Sequence, residues 1–246
     1  MKRRNSLIIS TILGVAILSG CTAPNQTGNN SGGAATTSNP SSTSNPSPAS
    51  SSSSNAGTSS GNASTAADDS GLTQQVTQGP YYVTGTSQLT NGNLNYDNLT
   101  GKKIKVQGYV YAGASGTTPI AGAKVEIWHA DDSGNYHPNS NGAASKYSDD
   151  QLSLRGYVLT DEKGYYEYTT IYPGEYTGRT RHIHTNTTAS GYKGVITQLI
   201  IPSLSGDQMT AAQDNIAQSL PKYNQVAFTT VDGVPTTTFN YRLAAN

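Results

Sequence analysis

From Ile104 to Ile201 the chain is cut into short runs of alternating apolar and polar residues, separated by clusters of turn formers. Ile104–Tyr111 (IKVQGYVY) alternates in this way, and Lys124–Trp128 (KVEIW) does so again before Asp131-Asp132-Ser133-Gly134. Gly156–Leu159 leads through a second turn, Thr160–Gly164, into Tyr165–Ile171, and Arg181–Thr187 and Val195–Ile201 continue the series. A period of two places one set of side chains on a buried face and the other on the opposite face. Many short strands spaced by turns predict an all-β fold, a β-sandwich of mostly antiparallel strands with short helical or loop insertions. The one predicted helix is Ser205–Leu220, with Asp207 near its start and Pro221 stopping it.

The first 70 residues have a different character. Lys2, Arg3 and Arg4 precede an apolar run from Leu7 to Leu18, which closes on Leu18-Ser19-Gly20-Cys21. Such an arrangement predicts a secretory signal over residues 1–20, and the apolar run falls short of the ~20 residues that span a bilayer. The LSGC ending resembles the lipobox of bacterial lipoproteins. That resemblance implies lipidation of Cys21 and anchoring on the extracytoplasmic face of the cell membrane. Cys21 is the only cysteine, so no internal disulfide is expected despite export. Residues 22–70 are Ser, Asn, Gly, Thr, Ala and Pro with few charged or large apolar groups, and predict a flexible tether. Residues 71–246 then form one domain of ordinary size.

Fifteen Lys and Arg balance fifteen Asp and Glu, and charged residues make up 12% of the chain. There is no basic footprint for nucleic acid.

His182-Ile183-His184 is the sharpest local signal. On a strand, side chains two apart share a face, so both imidazoles are expected to point one way, close enough to chelate one ion. Imidazole suits Fe, Cu, Zn and Ni alike, so the pair leaves the metal open. Tyrosine is over-used, with 16 Tyr against 2 Phe; an individual tyrosine is therefore weak evidence of a site, and Tyr81 and Tyr82 are left as pocket-wall residues at most. His129, beside the core residue Trp128, reads as structural. His137, directly after Tyr136, is expected to face away from it.

Longer pieces carry a family resemblance. GPYY (Gly79–Tyr82), PIAGAKVEIWHADDSGNY (Pro119–Tyr136), LRGYVLTDEKGYYEYTTIYPGEY (Leu154–Tyr176), GRTRHIH (Gly178–His184) and TQL (Thr197–Leu199) occur in this order. Together they resemble the intradiol ring-cleavage dioxygenases, the family of catechol 1,2- and protocatechuate 3,4-dioxygenases, and most closely its secreted single-domain branch. The resemblance implies a mononuclear non-haem Fe(III) held by Tyr136, Tyr176, His182 and His184. It implies active-site roles for Arg179 and Gln198, with Tyr176 the phenolate that substrate displaces. The expected partners are a small aromatic diol and O2, with a cis,cis-muconate-type diacid as product and no added reductant. Phenolate is a hard anionic donor suited to the ferric state, and a bound cation makes it accessible at neutral pH.

There are departures from the family pattern. Arg181 stands where a small residue is usual, and the cysteines frequent in the secreted branch near Pro119 and at Ala130 are absent. No helical dimerisation segment is visible, which leaves the oligomeric state open. Two other readings stand beside the enzyme: a non-catalytic surface sandwich for adhesion or carbohydrate binding, of the carboxypeptidase-regulatory-like type, and a sandwich holding Zn or Cu through its histidines.

Overall fold

The structure, a computed structural model, describes residues 71–246. The predicted signal, Cys21 and the tether lie outside the described residues. Eleven strands occur among the described residues: β1 (Val83–Thr84), β2 (Lys103–Ala112), β3 (Lys124–Trp128), β4 (Gly142–Ala143), β5 (Arg155–Leu159), β6 (Tyr165–Ile171), β7 (His182–Thr188), β8 (Val195–Ile200), β9 (Thr229–Val231), β10 (Val234–Thr238) and β11 (Tyr241–Leu243). One sheet runs β5-β3-β7-β8, antiparallel throughout. The other centres on β2, which pairs antiparallel with β6 on one edge and parallel with β10 and β11 on the other, while β9 extends it beyond β10.

Alternation decides which side chains meet between the sheets. Ile104, Val106 and Val110 of β2 and Tyr166 and Tyr168 of β6 share one buried cluster with Val125 and Ile127 of β3, Ile183 of β7 and Leu199 of β8. The alternate residues of the second sheet, Glu126, Trp128, His182, His184 and Gln198, therefore project from its outer face. They are nevertheless buried, because other segments cover that face. One of these is the stretch Gly71–Tyr82, a strap that is tied to β11 of the other sheet by Thr73 N–H to Arg242 O (3.1 Å), reaches β8 through Val76 N–H to Ile196 O (2.8 Å) and passes over His184 at Gly79.

The predicted helix is corrected. Only Asn215–Ser219 (α1) is α-helical, capped by the Asp214 carboxylate, which accepts from Ile216 N–H and Ala217 N–H. Residues 205–214 instead give their polar groups to tertiary partners: Glu175 takes Gln208 N–H and Met209 N–H, and Asp207 takes Leu204 N–H and the Arg181 guanidinium. The segment has too few apolar residues to bury a helical face, and those partners outcompete the helix ladder. Among the described residues no helix is long and apolar enough to cross a membrane.

Candidate metal centre

β7 is flanked by β3 and β8, and in register His184 stands opposite Trp128 on one side and Gln198 on the other. The outer face therefore collects indole, imidazoles and carboxamide side by side. Trp128 lies flat on the His184 ring, with centroids 4.9 Å apart and planes 9° apart. Tyr136 and Tyr176 arrive from two loops. These loops touch where Gly174 meets Gly134: a Cβ on Gly174 would lie 2.3 Å from Gly134 N, and one on Gly134 would lie 2.2 Å from Glu175 O. Gly174 N–H also donates to Asp131 O at 2.6 Å. Side chains at either glycine would push the two tyrosine loops apart.

The polar atoms converge. His182 Nε2 is 3.1 Å from His184 Nε2 and 3.3 Å from Tyr176 Oη. The Tyr136 ring lies edge-on to both Tyr176 and His184, at 5.6 and 6.2 Å between centroids. The backbone sets one tautomer: His182 Nδ1 lies 2.6 Å from Thr180 O, and a carbonyl only accepts, so Nδ1 carries the proton and Nε2 offers its lone pair. A single lone pair faces both Tyr176 Oη and His184 Nε2. The Tyr136 hydroxyl and His184 Nδ1 are buried without a hydrogen-bond partner, a condition that buried polar groups seldom keep.

Electrostatics keep all four groups neutral in the absence of a cation. Burial, then the Arg179 charge, lowers the His182 pKa to about 3, and burial with neighbouring His182 holds His184 well below the ordinary imidazole value. Burial, then Tyr176, pushes the Tyr136 phenol well above its ordinary value, and burial raises Tyr176. Two imidazole lone pairs and two phenols, one of them orphaned, fit a cation that takes two nitrogens and ionises two oxygens. Among the described residues no three His, Cys, Asp or Glu side chains form a metal-holding group, so phenols stand where carboxylates or thiolates would otherwise be needed.

Arg179 and Gln198 meet beside this point. The guanidinium NH2 donates to Gln198 Oε1 (2.6 Å) and Nε donates to Asp214 Oδ2 (2.9 Å), which also takes Thr180 N–H (3.0 Å). Asp214 thus fixes Arg179 and caps α1 with the same carboxylate. Asp214 is not among the site residues expected from the sequence, although an Asp before a short apolar run is a capping signal. Tyr81, expected at most as a pocket wall, stacks its ring on Tyr136 at 4.5 Å and sits edge-on to Tyr176 at 6.2 Å. Gly79 brings the strap over His184, where a Cβ would come within 3.2 Å of Cε1. Arg181, the departure from family pattern, makes a two-point ion pair with Asp207 (2.6 and 2.7 Å) and donates to Pro173 O. His129 is buried with both nitrogens engaged, Nδ1 at Ala130 O and Nε2 at Thr170 Oγ1, each 2.7 Å away. His137 pairs with Asp131 at 2.9 Å. A cavity of about 560 Å³ opens beside Tyr96 and Asp97 and reaches Arg155, but none of the four converging residues lines it.

A family model described as "Dioxygenase" matches residues 77–244. The chain belongs to the intradiol ring-cleavage dioxygenase family. Members typically use non-haem Fe(III). A chlorocatechol 1,2-dioxygenase of Rhodococcus opacus is 30% identical over 175 residues, covering 61% of this chain and 65% of that one; the chain thus spans just under two thirds of that relative's length. The dioxygenase domain of a dioxygenase carbohydrate-binding protein fusion from Streptomyces sp. SirexAA-E superposes with a TM-score of 0.56 at 25% identity, covering 71% of this chain and 99% of that one. An intradiol ring-cleavage dioxygenase from Tetranychus urticae shares the fold, with a TM-score of 0.59 at 24% identity, covering 70% and 94%.

Proposed function

We propose that this intradiol-family chain cleaves catechol-type diols with O2 between the two hydroxylated carbons, giving a cis,cis-muconate-type diacid, with Tyr136, Tyr176, His182 and His184 holding Fe(III). The reading is carried by the convergence of two phenols and two imidazoles at one buried point on the outer sheet face. When bound, the ferric ion supplies Lewis acidity that favours the deprotonated diol and makes its ring electron-rich toward O2. Tyr176 is the more exposed phenol, while Tyr136 is 3% exposed. Tyr176 is therefore the better placed to give up its position and take a substrate proton on Oη. Arg179, fixed between Asp214 and Gln198, presents a permanent positive charge that stabilises negative charge spreading over the ring. The stack of Tyr81 on Tyr136 gives an apolar wall for a flat aromatic substrate. A non-catalytic surface module leaves the orphaned Tyr136 hydroxyl and the facing imidazoles without a purpose.

The decisive measurement is stoichiometry. Substrate loss and O2 uptake on a catechol panel should match one to one without reductant, with a muconate-type product. A requirement for NADH, or a yellow semialdehyde from cleavage beside the diol, would overturn the reading. We also propose that Cys21 carries a lipid anchor holding the enzyme on the extracytoplasmic membrane face, supported by the LSGC sequence. Fatty-acid labelling should mark the wild type and not Cys21→Ser; an unlabelled wild type would end that proposal.

A further inference from the structure

Arg155 opens β5, the edge strand, opposite Trp128, and its side chain is buried at 3% exposure. Its guanidinium spends its fork on three carbonyls: Nε donates to His137 O (2.7 Å), NH2 to Pro138 O (2.9 Å) and NH1 to Tyr81 O. Those carbonyls lie on two segments far apart in sequence, the residues just after Tyr136 and the strap that carries Tyr81. The guanidinium carbon is 5.7 Å from the centroid of the Tyr136 ring. None of the ion pairs among the described residues involves Arg155.

A buried guanidinium normally answers a carboxylate, because desolvating a cation against neutral partners alone is unfavourable. Here the compensation comes from three carbonyls held in the fixed plane of one fork, a geometry that Lys cannot copy. The arrangement spans the gap between the Tyr136 loop and the strap at the place where the Tyr81 ring stacks on Tyr136. We infer that Arg155 is a positioning residue, a clamp that fixes the strap to the Tyr136 loop and thereby sets where the Tyr136 hydroxyl and the Tyr81 ring stand. None of its hydrogen bonds reaches the converging polar atoms. Its consequence for metal retention rests on the proposed role of Tyr136, whereas the clamp itself does not.

The test uses the full chain with Arg155→Lys and Arg155→Met. Lys keeps the charge and loses the fork; Met loses both. Three readouts are taken: far-UV circular dichroism, the rate of chymotryptic cleavage at Tyr81 and Tyr82 in metal-free protein, and the half-life of iron against a chelator. The expected result is that Arg155→Lys keeps its secondary structure but is cleaved in the strap about tenfold faster and releases iron about tenfold faster. Arg155→Met should match it within about twofold, since geometry rather than charge is what is lost. Wild-type cleavage and iron retention in Arg155→Lys would overturn the clamp, and so would failure of both variants to fold, which would make Arg155 a general core support. If the wild type takes up no iron while Arg155→Lys still loosens the strap, the clamp stands and the ferric reading falls. Iron-loaded, coloured wild type with an unaltered Arg155→Lys gives the reverse.

Discussion

His182 Nε2 and His184 Nε2 face each other across 3.1 Å, with the first imidazole's proton fixed on Nδ1 by the Thr180 carbonyl. Replacing either histidine by Ala removes one of two nitrogen donors while the Ile183 side of β7 keeps its packing. Iron content, measured by elemental analysis, should drop from about one per chain to below about a tenth, with little change in secondary structure. Full iron occupancy in both variants would place the metal elsewhere.

The two phenols should not be equivalent. Tyr136→Phe removes the buried oxygen that has no other partner, so iron should leave faster on dialysis against a chelator. Tyr176→Phe should keep more iron yet slow anaerobic formation of the diol complex, read by stopped flow. Each variant should shift the visible phenolate-to-iron band, since each removes one donor. Unchanged colour, iron and rates in both would return these tyrosines to plain packing.

Asp214→Asn preserves a capping oxygen for α1 but withdraws the charge opposite Arg179. The Asn amide nitrogen then faces two donors, Arg179 Nε–H and Thr180 N–H, in a buried position, so stability should fall by about 1–3 kcal/mol, while kcat/KM falls about 10- to 100-fold, the size of a lost charged hydrogen bond of about 1.5–3 kcal/mol. Asp214→Ala should add the loss of the cap, about 1 kcal/mol. Unaltered kinetics in Asp214→Asn would show that Arg179 needs no anchor.

Metal-free protein should be acid-sensitive at an unusually high pH. Burial holds His129 at about 4 and His182 at about 3, and His184 lies well below its ordinary value. The folded chain keeps all three neutral, whereas the unfolded chain protonates them near ~6.5. Below that pH the unfolded state binds more protons, so stability is complete above ~6.5 and declines as pH falls toward the folded values. Each histidine contributes a slope of about 1.4 kcal/mol per pH unit, and three together about 4. Calorimetry at pH 7, 6 and 5 checks this; a constant Tm would mean that the imidazoles are not buried neutral.

Much of this molecule is legible in its residues. The alternating runs from Ile104 to Ile201 map onto β2, β3, β5, β6, β7 and β8 with small shifts at their ends, because one face of each is buried and a period of two records it. The His182/His184 pair was readable for the same reason. Asp214 and Arg155 were not, since their roles depend on carbonyls and guanidinium groups brought close only by folding. The β9–β10 hairpin did leave a signal: Asp232-Gly233, both at positive φ, is a turn suited to a two-residue hairpin. Its strands are Thr-rich and partly exposed, which mutes the alternation. The predicted helix from Ser205 failed because Glu175 and Asp207, distant from it or inside it, claimed the backbone first.

Trp128 is the chain's only tryptophan, and it lies parallel to His184 at 4.9 Å with Tyr82 against it at 4.8 Å. All the indole fluorescence of the protein therefore originates next to the imidazole proposed to bind the ion. A ferric centre with phenolate absorption at that distance should quench the emission, and stripping the ion should restore it. The fold thus supplies an intrinsic optical gauge of occupancy, free of any attached label, by which the fraction of loaded chains can be followed as the ion binds and leaves.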